Sequence, residues 1–479
     1  MIKIADFKIY CGGKFISTSQ IHEVINPFRK KTVAKTYLAG KSELEDAISA
    51  AQFATQQLRG LASFQRSEIL RSIAEKLIAE KKDLAILLSM ESAKPIRYAL
   101  TEIERAAQTF FTASEECKRI PAEIISLDWT PAGIGRKGYV NYFPAGIVAG
   151  ISPFNFPLNL VAHKIAPSIA AGCPIILKPS STTPLSALRL AEIIHQTNLP
   201  KGAVSVLPMS RETGNQLVTD SRLSVLSFTG SPEVGWKMKS NAGKKKVVLE
   251  LGGNAAVIIS ESIKNRNYQQ QSDIIQKCIN GAFAYSGQIC IHAQRFFVHR
   301  TYFHEFCNEF CLAVKHLKYG DPLEAETDIA DMIDLPNALR VEEWIREAVA
   351  GGAKVLAGGK RTEQFVDPTV LTETNSSMKV HAEEVFGPVV VVEPFDTPEE
   401  AVRLVNDSRF GLQCGVFTDS VTELDYFYQN IEVGGVIHND CPTLRFDHMP
   451  YGGVKDSGIG REGVKYAMMD FLESRILVK

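Results

Sequence analysis

Five short apolar runs alternate with amphipathic segments of helical length across the middle of the chain. The runs are IVAGI (147–151), PIILKP (174–179), VSVLP (204–208), LSVLSF (223–228) and KVVLEL (246–251). Short, nearly continuous apolar runs are typical of parallel strands that are buried on both faces, and the segments between them supply crossover helices. The pattern therefore predicts a doubly wound α/β domain.

A second α/β pattern follows residue 253. The predicted strands are AAVIIS, RFFVHR, VVVVEPF and CGVFT, with helices near 301–317, 337–350 and 398–406. Upstream, apolar residues recur at helical spacing from Ser42 to about Arg119, and Pro95 interrupts that region. The terminal segment MMDFLESRILVK predicts an edge strand docked on another element or subunit. A length of 479 residues agrees with two or three domains.

Charge and cysteine content narrow the function classes. Lys plus Arg number 53 and Asp plus Glu 54, which argues against a nucleic-acid or membrane-surface partner and favours a small ligand. The sequence has no apolar run of about 18 residues, the length a membrane span requires. The N-terminal MIKIADFKIYCGGKF mixes charged and apolar residues, unlike a secretory signal. Nine cysteines without a CxxC pair indicate reduced thiols and predict a cytoplasmic protein.

Two turns after predicted strands are candidate phosphate or ribose sites. In FTGSPEVG, Gly230 permits close backbone approach, and Ser231 opens a helix whose amides attract anions; a plain tight turn explains the same residues. In LKPSS, Lys178 ends a strand where ligands of doubly wound sheets bind, although a surface lysine is the alternative. Thr183 is the predicted cap of the next helix, with Pro184 in its first turn.

Cys290 and Glu250 are candidate reactive groups. Cys290, in YSGQICIHAQRF, lies between a predicted helix and a predicted strand, where a thiol can be exposed and activated. Packing is the ordinary role of a cysteine, and spacing alone does not distinguish Cys290 from Cys278, Cys307 or Cys311. Glu250 ends the strand KKVVLEL, where burial would raise its pKa toward that of a general base; an exposed strand-end glutamate is the alternative.

Seven motifs in order resemble the aldehyde dehydrogenase superfamily over nearly the whole chain. They are PFNFP (153–157), LKPS (177–180), FTGSPEVG (228–235), LELGG (249–253), GQIC (287–290), EEVFGP (383–388) and PYGGVKDSGIGREG (450–463). The resemblance implies that Cys290 is the nucleophile and that Asn155, with the Cys290 backbone N–H, stabilises the oxyanion. It implies that Glu250 activates the water that cleaves the thioester.

The resemblance also implies NAD or NADP as cofactor and no metal. The implied cofactor-binding residues are Lys178, Ser180, Ser181, Gly230, Ser231, Glu384 and Phe386. Lys178 and Glu384 match positions that hold the ribose hydroxyls, and Phe386 matches one beside the nicotinamide. Strongly NAD-selective members often have a glutamate at the position of Ser181, where it repels a 2′-phosphate. Without it, NADP should be tolerated or preferred.

The implied fold is that of aldehyde dehydrogenases: two Rossmann-like doubly wound domains and a small β oligomerisation flap. The cofactor-binding domain would comprise 1–117 and 141–251, and the catalytic domain 252–452. The flap and C-terminal strand would comprise 118–140 and 453–479. Members of the family are typically homodimers or homotetramers, so the same is expected here.

The resemblance implies a substrate pocket lined by five residues of this chain, Arg445, His163, Arg105, Ile289 and Tyr451. Three potential cations predict a short hydroxylated or anionic aldehyde, such as lactaldehyde, succinate semialdehyde or glyceraldehyde 3-phosphate. The pattern is similar to lactaldehyde and non-phosphorylating glyceraldehyde-3-phosphate dehydrogenases. A surface pair between Arg445 and Asp447 is the alternative.

Three rival functions remain at this point. A CoA-acylating aldehyde dehydrogenase usually lacks the base at the Glu250 position, so its presence favours hydrolysis. A catalytically silent binding protein on the same scaffold should have lost Cys290, Asn155 or Glu250. A thiol hydrolase would need His292 to activate Cys290, which requires both side chains on one face of a regular strand.

Overall fold

The computed structural model describes residues 5–479, so the first four residues of the N-terminal segment considered above lie outside it. The helices are α1 (Lys41–Gly60), α2 (Ser63–Ala79), α3 (Lys81–Ser92), α4 (Ile96–Glu116), α5 (Asn159–Ala171), α6 (Leu185–His195), α7 (Arg211–Thr219), α8 (Pro232–Asn241), α9 (Tyr268–Phe283), α10 (Arg300–Val314), α11 (Leu335–Ala350), α12 (Lys379–Ala382), α13 (Pro398–Asn406), α14 (Val421–Asn430) and α15 (Val464–Asp470).

The strands form two large sheets, two three-stranded sheets and two short pairs. The strands are β1 (Ala5–Asp6), β2 (Ile9–Cys11), β3 (Lys14–Ile16), β4 (Ile21–Ile25), β5 (Thr32–Tyr37), β6 (Ala122–Ser126), β7 (Lys137–Pro144), β8 (Ile147–Ile151), β9 (Ile175–Lys178), β10 (Val204–Val206), β11 (Leu223–Thr229), β12 (Lys246–Glu250), β13 (Ala256–Ile259), β14 (Arg295–His299), β15 (Lys354–Ala357), β16 (Arg361–Thr362), β17 (Phe365–Val366), β18 (Thr369–Thr372), β19 (Val389–Phe395), β20 (Phe410–Gly411), β21 (Gln413–Phe417), β22 (Gly435–His438), β23 (Val454–Lys455), β24 (Gly458–Ile459) and β25 (Leu472–Val478). One of the three-stranded sheets has the order β1-β5-β4.

The first large sheet has the strand order β24-β12-β11-β8-β9-β10-β2-β3. Its five central strands, β12 to β10 in that order, are parallel and are the five predicted from the apolar runs. The chain leaves β8 toward β9 on one side and later returns to β11 on the other. This reversal opens a crevice at the carboxyl ends of the strands, which is where doubly wound sheets bind ligands.

The predicted helical region before this sheet consists of α1 to α4. The interruption at Pro95 is confirmed: α3 ends at a left-handed Ala93 (φ 55°), and Pro95 precedes the first turn of α4. The apolar faces of α2, α4 and α5 share one core with the sheet, through residues such as Leu70, Phe110 and Val161. That core fixes the position of the loop that follows β8.

The second large sheet has the order β15-β18-β19-β14-β13-β21-β22 and is parallel except at β15. It contains the four strands predicted after residue 253. The helices predicted near 301–317, 337–350 and 398–406 correspond to α10, α11 and α13. Both large sheets are doubly wound, which confirms the α/β fold class predicted from the sequence.

The third sheet has the order β25-β7-β6, with the C-terminal strand at one edge. Residues 453–479, which the resemblance assigns to the flap and C-terminal strand, divide among several units. β24 pairs with β12 in the first sheet, and α15 buries Val464 and Met468 in the first core. Only β25 extends into the three-stranded sheet.

The predicted cap of α6 is wrong. Thr183 Oγ1 donates instead to the backbone carbonyl of Phe154 at 3.2 Å. The first backbone amides of α6, on Leu185 and Ser186, donate to the buried carboxylate of Glu91 at 2.6 and 3.0 Å. A carboxylate from a neighbouring helix accepts hydrogen bonds from these amides and stabilises the positive end of the helix dipole. The Thr183 side chain is therefore not needed as a cap.

Within residues 5–479, no helix has both the length and the apolar character needed to cross a membrane. All nine cysteines are free thiols, and most are buried.

Candidate active site

Four sequence motifs meet at the carboxyl edge of the first sheet. Asn155 lies just after β8, Lys178 ends β9, Gly230 follows β11 and Glu250 ends β12. The register aligns the strand ends, because Lys178 pairs with Ile151 and Glu250 pairs with Thr229. Residues distant in sequence therefore form one crevice, as the carboxyl ends of adjacent parallel strands do.

Three adjoining cavities open on this edge. The central cavity, about 660 Å³, is lined by Cys290, Glu250, Asn155, Glu384 and Phe386, among others. The outer cavity, about 680 Å³, is lined by Lys178, Ser180, Ser181, Gly230 and Ser231, among others. The inner cavity, about 230 Å³, is lined by Arg105, Ile289, Cys290, Arg445 and Tyr451, among others. Cys290 lines both the central and the inner cavity, so its thiol lies where the two meet.

The loop that carries Cys290 has an unusual backbone. After α9, Tyr285 and Ser286 adopt left-handed conformations with φ of 49° and 55°. Such residues are costly and persist only where surrounding contacts hold them. Here the Tyr285 hydroxyl donates to the carbonyl of Ser92 at 3.1 Å, and the Ser286 hydroxyl donates to that of Ala330 at 2.6 Å. The turn places Cys290 outside both the preceding helix and the following strand.

Asn155 is fixed beside this loop from both its ends. Its side-chain Nδ2 donates to the carbonyl of Gln288 at 3.0 Å, and its backbone carbonyl accepts from the ammonium of Lys94 at 2.7 Å. Lys94 is fully buried and pairs with the buried carboxylate of Glu102. A carboxamide has two N–H donors, so one remains to meet charge that develops near Cys290.

Glu250 is a buried carboxyl group without a hydrogen-bond partner on either oxygen among the described residues. Burial, and then the nearby charge of Glu462, raise the pKa of Glu250 well above its usual value, although the cations of Arg445 and Lys164 oppose this. An unpartnered carboxyl with a raised pKa, facing a cavity that also holds Cys290, has the properties of a general base for a water molecule.

The thiol of Cys290 is protonated at neutral pH in the free protein. Burial raises the pKa of Cys290 to about 11, and the negative charges of Glu384 and Glu250 add to the rise. The hydroxyl of Tyr451, 2.9 Å from Sγ, and the cation of Arg445 act in the opposite direction. Nucleophilic attack therefore requires removal of the thiol proton.

The turn between β11 and α8 lines both the central and the outer cavity with Gly230 and Ser231. A Cβ at Gly230 would lie 2.5 Å from Cζ of Phe228, so a larger residue would have to displace that ring. Ser231 precedes the first turn of α8, and its hydroxyl makes no cap to that helix. Free amides at a helix N-terminus, with a free hydroxyl beside them, suit a phosphate group.

The opposite wall of the central cavity carries Glu384 and Phe386. Glu384 Oε1 accepts from the Gly253 amide at 3.1 Å, and a Cβ at Gly252 would lie 2.2 Å from Oε2. Burial raises the pKa of Glu384 to about 7. Phe386 has a left-handed backbone (φ 46°) and meets Phe154 edge-on, with ring centroids 5.8 Å apart. A carboxylate that can accept hydrogen bonds from ribose hydroxyls and an aromatic ring thus face the same cavity. Both groups suit a bound dinucleotide.

Two basic residues of the outer cavity were missed by the sequence analysis. Arg211, at the start of α7, and Lys237, on α8, line this cavity together with Ser181 and Lys178. Burial and the charge of Arg211 lower the pKa of Lys178. The turn that carries Ser181 is held by His22, whose Nε2 donates to the Ser181 carbonyl at 2.8 Å. Neither basic residue belongs to a recognised motif, so only the folded chain brings them here.

The alternative interpretation, a surface pair between Arg445 and Asp447, is wrong. Arg445 Nη2 donates to Glu462 Oε2 at 2.8 Å, whereas Asp447 accepts two bonds from Arg105, at 2.9 and 3.2 Å. Glu462 reaches Arg445 because residues 451 and 462 form an antiparallel bridge, with backbone bonds of 3.0 and 2.6 Å. Glu462 lies in the GREG segment of the last motif, which was the available signal for it.

His163 adds no positive charge to the inner cavity, contrary to the sequence-based expectation. It lies behind the wall and is not among the described residues that line the cavity. Its Nε2 is 2.8 Å from Asp447 Oδ1. Burial, followed by the charge of Arg445, lowers the pKa of His163, so the imidazole stays neutral at neutral pH.

His292 does not support a thiol hydrolase. The segment around Cys290 is a turn rather than a regular strand, and His292 is buried. In the described part of the chain, His292 lines neither cavity that Cys290 lines, and the polar partner of Cys290 is Tyr451.

Comparison with known proteins gives one consistent family. The sequence profile described as "Aldehyde dehydrogenase family" matches residues 15–477. A 3-sulfolactaldehyde dehydrogenase of Priestia megaterium is 40% identical over 480 residues, covering 100% of this chain and 99% of that protein.

Two solved structures share the fold over nearly their whole lengths. One is aldehyde dehydrogenase 21 from Physcomitrella patens in complex with the reaction product succinate, at a TM-score of 0.97 and 44% identity, covering 100% of this chain and 99% of that one. The other is glyceraldehyde-3-phosphate dehydrogenase GapN from Methanocaldococcus jannaschii complexed with NADP, at a TM-score of 0.90 and 34% identity, covering 96% and 98%.

Proposed function

The chain belongs to the aldehyde dehydrogenase family, and we propose that its own substrate is a short aldehyde with an anionic or hydroxyl group distal to the carbonyl. Members of this family are NAD(P)-dependent oxidoreductases, and this chain oxidises small aldehydes to acids. The substrate class, the roles of the individual residues and the cofactor preference make up the proposal.

The observation that carries the substrate proposal is the position of Arg445. Its guanidinium carbon lies 3.6 Å from the ring centroid of Tyr451, whose hydroxyl contacts Cys290 Sγ. Arg105 lines the same small cavity, with its side chain 24% exposed. A substrate whose carbonyl carbon is attacked by Cys290 therefore has its far end near two guanidinium groups. Such groups bind carboxylate, sulfonate or phosphate with charge-assisted hydrogen bonds.

Both arginines form ion pairs, but one of their buried guanidinium donors remains unpaired within the described chain. Arg445 Nε is buried and has no hydrogen-bond partner among the described residues. An unsatisfied buried donor costs free energy, and a polar substrate group would relieve that cost. The names of two related proteins agree with this chemistry, because sulfolactaldehyde carries a sulfonate and succinate carries a second carboxylate.

The reaction would begin with Cys290. Its thiolate attacks the carbonyl carbon, a C–S bond forms, and the carbonyl electron pair moves to oxygen. We assign stabilisation of this oxyanion to Asn155 Nδ2 and the backbone N–H of Cys290. Bound NAD(P) supplies the hydride acceptor that converts the adduct to a thioester.

Glu250 would act in the second half of the reaction. Its carboxylate takes a proton from water, the water oxygen attacks the thioester carbon, and the C–S bond breaks. The electron pair returns to Sγ, and the carboxylic acid leaves. Glu250 also separates this proposal from the CoA-acylating alternative, in which CoA replaces water and no such base is needed. A requirement for CoA in steady-state turnover would favour that alternative.

We propose that NADP is used at least as well as NAD. Ser181 presents no carboxylate to a 2′-phosphate, and the basic residues Arg211 and Lys237 line the same cavity. A 2′-phosphate would find positive charge there and no negative side chain from position 181.

Assembly and compartment are proposed on separate grounds. The three-stranded sheet β25-β7-β6 exposes apolar side chains, including Ile124, Ile476 and Leu477. Exposed apolar patches mark interaction surfaces, which supports a homodimer or homotetramer. Nine free thiols support a reducing compartment, the cytoplasm. Sedimentation of the wild type and of Ile476→Lys tests the first, since a monomeric wild type would contradict it.

The substrate proposal is tested by comparing two aldehydes of similar length, succinate semialdehyde and butanal, in wild type and Arg105→Leu. Arg105 is preferred to Arg445 because Asp447 keeps His163 as a partner after the change. The specificity constant for succinate semialdehyde should fall roughly tenfold or more, as expected for a lost charge-assisted bond, while that for butanal holds or improves.

Two controls accompany this measurement. Arg105→Lys retains the charge and should lose less than Arg105→Leu. Arg71→Leu makes the same change at an arginine paired with Glu115 outside the cavities, and both substrates should be unaffected. Equal losses on both substrates in Arg105→Leu would mean that Arg105 supports the fold, and the anionic-substrate proposal would be dropped.

A further inference from the structure

Tyr451 is the polar neighbour of the reactive sulfur. Its hydroxyl oxygen lies 2.9 Å from Sγ of Cys290, and its ring is buried and lines the inner cavity. Sulfur is a weak acceptor when protonated but a strong one as a thiolate. The contact therefore matters most in the ionised form of Cys290, which is the form that reacts.

Either atom of this pair can donate, and the surroundings favour the phenol. The guanidinium of Arg445 lies over the Tyr451 ring at 3.6 Å from its centroid. A cation on the ring face stabilises negative charge drawn toward the phenolic oxygen, which makes its O–H a better donor. The Arg445 cation is itself held in place by Glu462.

The backbone keeps the phenol in this position. Tyr451 and Glu462 exchange two backbone hydrogen bonds, of 3.0 Å from the Tyr451 amide and 2.6 Å from the Glu462 amide. The bridge thus fixes the tyrosine that contacts the nucleophile and the carboxylate that holds the arginine over its ring. A preorganised donor needs no rearrangement when charge appears on sulfur.

We propose that Tyr451 is a catalytic residue whose hydroxyl donates a hydrogen bond to the Cys290 thiolate, both when sulfur attacks the aldehyde and when it leaves the thioester. In the attack, the sulfur lone pair becomes the C–S bond, and the carbonyl pair moves to oxygen. In the second step, water adds, the C–S bond breaks, and the pair returns to sulfur. The proton stays on the Tyr451 oxygen throughout. The thiol proton leaves to solvent before the attack, the hydride would go to bound NAD(P), and Glu250 takes the proton of the attacking water.

This inference rests on Cys290 as the nucleophile but not on any particular substrate. Its test uses alkylation of the free enzyme by iodoacetamide, which needs neither aldehyde nor cofactor. A wrong substrate assignment would leave this measurement unchanged, and a wrong role for Tyr451 would leave the substrate comparison unchanged. The two proposals therefore fail separately.

The variant is Tyr451→Phe, which removes one hydroxyl and keeps the ring under Arg445. The rate of alkylation at Cys290 near neutral pH should fall roughly tenfold to a hundredfold, as expected for loss of a hydrogen bond to a charged group, and the pH midpoint should rise. Mass spectrometry of the peptide from Cys278 to Arg295 distinguishes Cys290 from buried Cys278. Single-turnover production of reduced cofactor should slow in parallel.

Tyr98→Phe is the matched control, because Tyr98 lines the same inner cavity but its hydroxyl accepts from Arg97 Nη2 at 2.7 Å. It should leave the alkylation profile as in the wild type. Replacing Tyr451 by 3-fluorotyrosine, whose hydroxyl is more acidic, should have the opposite effect to Tyr451→Phe and lower the pH midpoint. An unchanged rate in Tyr451→Phe would overturn the proposal. So would a faster rate, since it would mean that the hydroxyl stabilises the protonated thiol.

Discussion

Arg445 Nη2 donates to Glu462 Oε2 over 2.8 Å, and the two side chains are 5% and 3% exposed. The same arginine covers the ring of Tyr451, and the same carboxylate raises the pKa of Glu250. The pair therefore couples the substrate cavity to the nucleophile and to the proposed base. Any substitution of Arg445 changes more than substrate recognition.

The Arg445–Glu462 ion pair is expected to contribute to the free energy of unfolding. Arg445→Leu removes the hydrogen-bonded cation of the buried Glu462 carboxylate and leaves only Lys164, 3.7 Å away, so the free energy of unfolding should fall by about 3 kcal/mol. Arg445→Leu/Glu462→Gln removes both charges and should recover part of that loss. Urea unfolding of the single and double variants measures the difference. Equal losses in both would show that packing rather than charge pairing is affected.

Asn155→Ala should lower the single-turnover rate of hydride transfer on the order of 10²–10³, because one oxyanion donor is lost. Cofactor binding should change little, since the proposed cofactor contacts of other residues remain. Stopped-flow measurement of reduced cofactor tests this, with Asn308→Ala on the exposed face of α10 as the control. A loss below tenfold would remove Asn155 from this role.

Ser181→Glu should penalise NADP selectively, because a carboxylate would face the 2′-phosphate. The measurement is the ratio of the specificity constants for NADP and NAD. The control is Ser240→Glu, on the exposed face of α8, which introduces the same charge outside the outer cavity and should leave the ratio unchanged. If the ratio does not move in Ser181→Glu either, position 181 does not face the 2′-oxygen.

The pH dependence of nucleophile reactivity follows from the raised pKa of Cys290. The thiol is the acid form, so raising the pH increases the reactive thiolate fraction, and the gain continues up to about pH 11. Alkylation of Cys290 should therefore accelerate steadily from about pH 7 to about pH 10 in the free enzyme. A rate that is flat over this range would indicate a thiolate already formed at neutral pH.

The central strands of both large sheets were predictable because the signal is local. A parallel strand buried on both faces must be apolar over its length, and the five runs from IVAGI to KVVLEL satisfy this directly. The cap of α6 was not predictable in the same way. Glu91 lies on α3, about ninety residues from the amides it accepts, so only tertiary packing supplies it.

In the candidate site, too, some features were predictable from the sequence and others depend on tertiary packing. The resemblance selected Cys290, whereas spacing alone did not separate it from the other cysteines. The charge state of His163 and the partner of Arg445 depend on burial and on the bridge between Tyr451 and Glu462. The motif pointed to Tyr451 only as a pocket residue, and its contact with sulfur emerged from the fold.

The central claim is that a thioester forms on Cys290 and is hydrolysed by water that Glu250 activates. Glu250→Gln keeps the first half of the reaction and impairs the second. Mixed rapidly with saturating aldehyde and NADP, this variant should release about one equivalent of reduced cofactor per active site and then turn over slowly. Cys290→Ala should give neither phase. Unchanged steady turnover in Glu250→Gln, or restoration of fast turnover by CoA, would contradict the account.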